Sequence, residues 1–316
     1  MNILNLKSND TYLNLATEEY LLKSRDEDFL ILGINEKSVI IGKHQAAHRE
    51  TNTRFITENN IPVIRRISGG GTVYHDRGNI NFTFIKQSES GKQVDFRKYT
   101  APVIDFLLSL GVNARFEGKN DLKINGLKIS GNAEHVHRNR VLHHGTLLFD
   151  SSLDDLRSSL RENTSDYITR AVVSNPSSVT NLKENLKNVP DIFEFRVIMM
   201  NYFFATLPGA ELFRLTPEES DGIKYLAETK YRTWEWNYAY GPDYHLTKRF
   251  ELNNRPHACH LFVKDGIIQE CEIEGSHKMI AVGKELVGCR HMVTDILKIL
   301  NQRGILAQDE DVYNFF

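Results

Sequence analysis

Two arginines run into three consecutive glycines in the stretch Arg65-Arg66-Ile67-Ser68-Gly69-Gly70-Gly71. Glycine has no Cβ and adopts positive φ readily, so such a run lets the backbone approach a ligand and can turn successive amides toward phosphate oxygens. Either arginine could add charge-assisted hydrogen bonds in a partly dry cleft. Taken alone, the run reads more readily as a tight turn with its arginines in solvent. Gly118-Lys119-Asn120-Asp121 sets an amide beside a carboxylate, the hard oxygen ligands that suit Mg²⁺ held together with substrate phosphates. Asn-Asp is also an ordinary turn pair. In Lys128-Ile129-Ser130-Gly131 a lysine beside a strand is suited to neutralise charge on an α-phosphate and on the carbonyl of a mixed anhydride. The plain alternative is an edge-strand lysine facing water.

Histidines cluster in His143-His144-Gly145-Thr146, with His135 and His137 upstream. Imidazoles gather at transition-metal sites, but HExxH and CxxC spacings are absent, and adjacent residues on a strand point to opposite faces. One of His143 and His144 is therefore expected to be structural or substrate-facing. No GxxxxGK[ST] occurs, so any ATP site is built without a P-loop.

These residues need a scaffold. Leu13, Ala16, Tyr20 and Leu21 recur at helical spacing after Asp10 and Thr11, either of which can cap the helix. FLILGI, SVIIGKHQ, VIRRISGGGTVYHDRGNINFTFI, DLKINGLKISGNA and VLHHGTLLFD contain strand-length apolar runs. A helix capped by Thr100, with Pro102 in its first turn and Gly111 at its end, is expected to cover the sheet. A short helix spans Leu153 to Leu160, and the polar stretch that follows to Asn181 reads as a functional loop. Asp191 to Thr206 reads as a buried helix, Thr216-Pro217-Glu218-Glu219 as a capping box, Asp265-Gly266 as a hairpin turn, and Met292 to Asn301 as a terminal helix. The expected architecture is α+β: a large domain with a mixed or mainly antiparallel sheet at 1–243, and a small α+β accessory domain at 244–316.

In order along the chain, RRISGGGTVYHDRGNINFTF, GKNDLKINGLKISGNAEH, HHGTLLFD and SSVTNL resemble the successive motifs of the lipoate-protein ligase A family, within the biotin/lipoate protein ligase superfamily. The resemblance runs motif by motif from about Leu13 to Leu186, and WEWNYAYGP looks like the family's junction to its accessory domain. It implies a ligase that activates lipoate with ATP and Mg²⁺ and passes the lipoyl group to a lysine of apo lipoyl carrier domains. By residue, it implies Lys128 as the catalytic lysine and Asn120 and Asp121 as the magnesium-side pair. Arg66, Ser68, Gly69, Gly70 and Gly71 would form the acyl and adenylate pocket, continued by Thr72, Val73, His75 and Asn79. Ser130, Gly131 and Ala133, then His144, Gly145 and Thr146, would line it further, and Val179, Thr180 and Asn181 would close an adenylate-binding loop. There are departures: Gly33 stands where many members have tryptophan, His135 where arginine is frequent, and Ser178 where arginine is usual. Gly33 suggests a roomier pocket, and Arg138 is a candidate to supply the charge missing at His135.

An octanoyl transferase of the same fold, working without ATP, is the nearest alternative. Such enzymes generally use a cysteine nucleophile, whereas the three cysteines here, Cys259, Cys271 and Cys289, all lie late in the chain. A biotin ligase would show arginine-glycine alternation in place of the triple glycine. A non-catalytic carrier-binding module would have no need of Lys128, Asn120 and Asp121. A net charge of −2 offers no global attraction for nucleic acid. No segment approaches the roughly 20 apolar residues needed to span a bilayer. The expectation is a monomer in the cytoplasm, or in an organelle if a transit peptide has been removed.

Overall fold

The computed structural model describes residues 1–88, 94–187, 191–305 and 309–316. The chain opens with β1 (Asn2–Asn5) and α1 (Thr11–Ser24). Asp10 caps α1 by accepting from the Tyr12 and Leu13 amides, donors that a helix start leaves without partners. The apolar runs form β2 (Phe29–Ile34) and β3 (Ser38–Ile41), buried at every position. After α2 (Ala47–Glu50), α3 (Thr53–Glu58) and β4 (Val63–Arg65) comes the glycine run, then β5 (Val73–His75) and β6 (Asn79–Gln87).

Next is α4 (Phe96–Ser109), which begins a turn before the expected start because Asp95, not Thr100, supplies the cap. Thr100 lies inside the helix and turns its hydroxyl back to the Phe96 carbonyl, and Pro102 sits in the second turn. Gly111 does take the left-handed conformation beyond the end, with φ +78°. Four strands follow: β7 (Arg115–Glu117), β8 (Asp121–Ile124), β9 (Leu127–His137) and β10 (Arg140–Leu148). Beyond α5 (Leu153–Ser159) and β11 (Tyr167–Thr169), α6 (Ile192–Thr206) buries only the Phe195, Met199 and Phe203 face. Phe193 and Val197 of α6 are exposed, so this helix is half-covered and not the fully buried one its apolar composition suggests. The chain continues with β12 (Glu211–Leu212) and α7 (Pro217–Leu226), whose Thr216–Glu219 capping box is complete. Two π-helical turns over 227–239 lead to β13 (Tyr244–Leu252), β14 (Arg255–Lys264), β15 (Ile267–Glu274), α8 (His277–Leu286) and α9 (Val293–Gln302). Asp265 and Gly266 turn the β14–β15 hairpin, both at positive φ.

The main sheet has the order β12-β1-β2-β6-β10-β9-β8-β7, parallel at β12-β1-β2 and antiparallel elsewhere. Alternation along β2 sorts its side chains: Leu30, Leu32 and Ile34 enter a core with Phe106 of α4 and Phe203 of α6, while Phe29 and Ile31 enter one with α1 and Ile223 of α7. Helices thus cover both faces. A small sheet, β4-β3-β5, carries the glycine run between β4 and β5. The third sheet, β11-β13-β14-β15, joins a strand at residue 167 to three strands after residue 243. Ala46, Tyr167 and Ala171 accordingly share a core with the C-terminal residues.

Candidate active site

A cavity of about 620 Å³ opens between α1, β2, β5, β9 and β10. Its wall combines apolar side chains, among them Leu6, Leu15, Ile31 and Ile40, with Lys119, Asn120, Asp121 and Lys128. This mixture suits a ligand with a hydrocarbon portion and a charged portion.

The glycine run is held from inside by Arg66. Its Nη2 donates to the carbonyls of Gly69 (2.6 Å) and Gly71 (2.7 Å), its Nη1 to Ile40 (3.1 Å), and its Nε to Ser68 Oγ (2.9 Å). Burial lowers the guanidinium pKa to about 10, which leaves it charged at neutral pH. Arg66 lines the cavity, yet its donors already serve the loop, so it shapes the wall more than it grips a phosphate. Arg65 is fully buried and bonds the carbonyls of Gly42, Lys43, Gln45, Trp236 and Asn237, fastening the 227–239 turns to the site. Neither arginine faces solvent as the turn reading supposes. Gly70 has φ +85°, where a side chain is strained. Thr72 donates its amide to Ser174 Oγ (2.9 Å), and a Cβ on Gly71 would meet that Oγ at 3.1 Å, so the run packs against the 172–175 segment.

Lys128, at the start of β9, places Nζ 2.8 Å from Asp121 Oδ1 on the neighbouring strand β8. Its backbone is gripped separately: the Lys128 amide donates to Ser178 O (2.9 Å), and the Thr180 amide donates to Lys128 O (3.0 Å). Asn181 anchors that clamp by bonding both backbone groups of Ser151, at 3.0 and 2.9 Å. Val179, Thr180 and Asn181 therefore position the lysine from behind and do not line the cavity. Asn120 donates its side-chain amide to Asn132 O, leaving its Oδ1 outside that bond.

The two histidines divide as the strand alternation requires. His143 is buried against Tyr99 and Phe82 and bonds Glu134 (2.9 Å), with burial lowering its pKa. His144 faces the cavity, its Nδ1 2.8 Å from Glu18 Oε2 and its Nε2 2.6 Å from Ser68 Oγ. Among the described residues no group of three His, Cys, Asp or Glu could hold a metal ion.

Thr72, Val73, His75, Gly131, Ala133, Gly145 and Thr146 are on the cavity wall as expected, with Gly70 and Gly71. Ser68, Gly69, Asn79 and Ser130 are not; Ser68 and Asn79 support the wall from behind, Asn79 by donating to Asn81 Oδ1 (2.9 Å). Arg138 occupies the exposed β9–β10 turn and is also absent from the wall, so it does not supply charge in place of His135. Gly33 does line the cavity, but a Cβ there would lie 3.1 Å from Leu6 Cδ1: leucine fills the space that glycine concedes. Glu18, Asn14 and Asn35 are wall residues that the sequence reading missed. A signal existed, since Asn14 and Glu18 fall four apart on the buried face of an otherwise apolar helix.

The family model for the lipoyl protein ligase A/B catalytic domain matches residues 10–204, which span the whole cavity apart from Leu6. This chain belongs to that family. It is 36% identical over 276 residues to the lipoate-protein ligase LplJ of Bacillus subtilis, covering 83% of this chain and 82% of the relative. Among solved structures, it is similar to a T. acidophilum protein assigned as a lipoate protein ligase, with lipoic acid bound (TM-score 0.64, 28% identity, 75% of this chain and 98% of that one). A lipoate-protein ligase A bound with ATP is matched almost equally (TM-score 0.63, 28% identity, 75% and 97%). The mixed α+β architecture agrees with these family structures.

Proposed function

We propose that this chain is an ATP-dependent lipoate-protein ligase. The observation that carries the reading is the Lys128–Asp121 pair, 2.8 Å apart on the wall of the cavity that also holds the glycine run. A lipoate carboxylate oxygen attacks the α-phosphorus of ATP, the bond to pyrophosphate breaks, and lipoyl-AMP remains. The amine of a carrier lysine then attacks the lipoyl carbonyl, expelling AMP, and the nitrogen loses its proton as the amide forms. Lys128 neutralises charge on the α-phosphate oxygens in the first step and on the carbonyl oxygen in the second. Asp121 and the 178–180 clamp hold that ammonium in place, which spares the reorganisation that water would need. The Leu6, Leu15, Ile31 and Ile40 surface accepts the hydrocarbon chain and keeps water from a labile anhydride.

Mg²⁺ fits as an ion delivered with the ATP phosphates. Asp121 brings one carboxylate and Asn120 an amide oxygen to the wall, the sparse protein ligation usual for phosphate-bound Mg²⁺. It would supply charge neutralisation on the polyphosphate. The proposed partners are apo lipoyl carrier domains, such as those of 2-oxoacid dehydrogenase acyltransferase subunits and the glycine-cleavage carrier protein. No helix of the described residues is long and apolar enough to cross a membrane, and a cytoplasmic monomer is the proposed setting.

The test mixes free lipoate, MgATP and a panel of apo carrier domains, following pyrophosphate release and carrier mass. Lipoate-dependent pyrophosphate release and a lipoyl mass increase are expected. Carrier acylation only from another acylated carrier, without ATP, would establish the transferase alternative instead.

A further inference from the structure

His75 is buried, lines the cavity, and has an Nε2 with no hydrogen-bond partner among the described residues. Its Nδ1 lies 2.9 Å from the side-chain amide of Asn35. The direction of that bond follows from a chain of contacts reaching back to the backbone. Asn14 lies 3.0 Å from the carbonyl of Ser8, which can only accept, so the Asn14 atom is its Nδ2. The same nitrogen gives its other hydrogen to Asn35 at 2.7 Å, which makes the receiving atom Oδ1. What Asn35 turns to His75 is then Nδ2, a donor with no lone pair to offer, and His75 Nδ1 must accept. In a neutral imidazole the proton is left on Nε2.

We infer that Asn35, oriented by Asn14, is a positioning residue that fixes His75 as the neutral Nε2–H tautomer and so presents a buried, uncharged donor to the bound acid or nucleotide. The complementary ligand group is an oxygen or ring nitrogen that carries no proton. A second proton on Nδ1 would confront the Asn35 amide hydrogens head-on. The charged and titratable neighbours oppose it as well: Arg66 beside the glycine run and His144 of β10, the latter paired with Glu18 of α1. Burial and these neighbours together hold the imidazole pKa down at about 3. A neutral donor suits this position because an imidazolium next to Arg66 would add repulsion without adding reach. Leaving the donor unanswered in the bound state would cost its full desolvation, so a ligand with an acceptor there is selected over one without.

The inference rests on the ligase reading for the identity of the ligand but not for the tautomer, and the experiment separates the two. In ¹⁵N-histidine-labelled protein without ligand at neutral pH, the His75 signal, identified by its loss in His75→Gln, is expected to show protonated Nε2 and bare Nδ1. Asn35→Asp offers Nδ1 an acceptor and is expected to move a proton onto it. The same variant should raise KM about 10- to 100-fold for whichever of lipoate or ATP carries the acceptor, the usual effect of losing one buried hydrogen bond, with calorimetric titration of each alone naming the ligand. His75→Gln, which keeps an N–H donor, should retain far more activity than His75→Leu. A wild-type Nδ1–H tautomer overturns the inference even if lipoyl-AMP forms normally, as does an Asn35→Asp variant with unchanged tautomer and KM. Absence of lipoyl-AMP formation by wild-type protein with the Nε2–H tautomer intact would overturn the ligase reading alone.

Discussion

Lys128 extends across the face of Gly131, three residues along the same strand, so closely that a Cβ at 131 would lie 3.1 Å from both Cε and Nζ of the lysine. The glycine is thus part of the lysine's aim. Gly131→Ala is expected to shift the ammonium by a few tenths of an ångström, because the flexible end of the lysine yields before the strand does. Lipoyl-AMP formation should fall about 10-fold, short of the roughly 100-fold that a 1 Å misplacement can cost, with the melting temperature nearly unchanged. Unaltered adenylation would show that Lys128 has slack at this position.

Removing the charge is a harsher test. Lys128→Ala should slow lipoyl-AMP formation about 100- to 1,000-fold, the usual loss for one preorganised electrostatic contact. Pyrophosphate release under saturating ATP measures it, and near-normal rates would remove Lys128 from the mechanism.

Asn181 acts at a distance on the same lysine. Asn181→Ala strips partners from the buried Ser151 N–H and C=O, at an expected cost of about 1–3 kcal/mol in urea unfolding. The loosened 178–180 clamp should also lower kcat while leaving the KM for ATP close to normal. A stability loss with unchanged kcat would confine Asn181 to structure.

Acid should weaken the fold through buried histidines. His291 is bonded to Tyr244 and to the Phe315 carbonyl, and burial lowers its pKa to about 4. In the unfolded chain it takes a proton near the ordinary value of about 6.5. Between those values the unfolded state holds more protons, so the stability of the neutral form is present above pH 6.5 and is lost as pH falls toward 4. His291 alone should account for about 2 kcal/mol of the loss between pH 7.5 and 5. His291→Gln should flatten the pH dependence by that amount in denaturant titrations; an unchanged slope would show that the ring is solvated or titrates normally.

The third sheet predicts the behaviour of a truncated chain. Because β11 pairs with β13, and the cavity-lining residues 172–175 follow β11 directly, removing residues 244–316 uncovers Tyr167 and Ala171 and frees one end of that segment. The 1–243 fragment is expected to melt at lower temperature, bind an apolar dye and adenylate lipoate more slowly. A fragment with full stability and rate would make the two parts independent.

The strands, the capping box at Thr216, the hairpin at Asp265-Gly266 and the cap at Asp10 were legible because each depends on neighbours a few residues apart. The same holds for the opposite facing of His143 and His144, which strand geometry imposes locally. Asp95 was passed over as a cap because Thr100-Ala101-Pro102 is the stronger local start signal, and only packing of Phe106 and Val103 under the sheet sets where α4 begins. Lys128, Asn120 and Asp121 could be named from motif, but the pairing of Lys128 with Asp121 needed β8 and β9 side by side. Glu18 meeting His144, Asn35 meeting His75 and Arg66 bonding its own loop were beyond sequence pattern. A polar residue in an apolar helix or strand shows that a buried partner is required, and which one it meets depends on chain segments many residues away that come together only when the sheet is assembled.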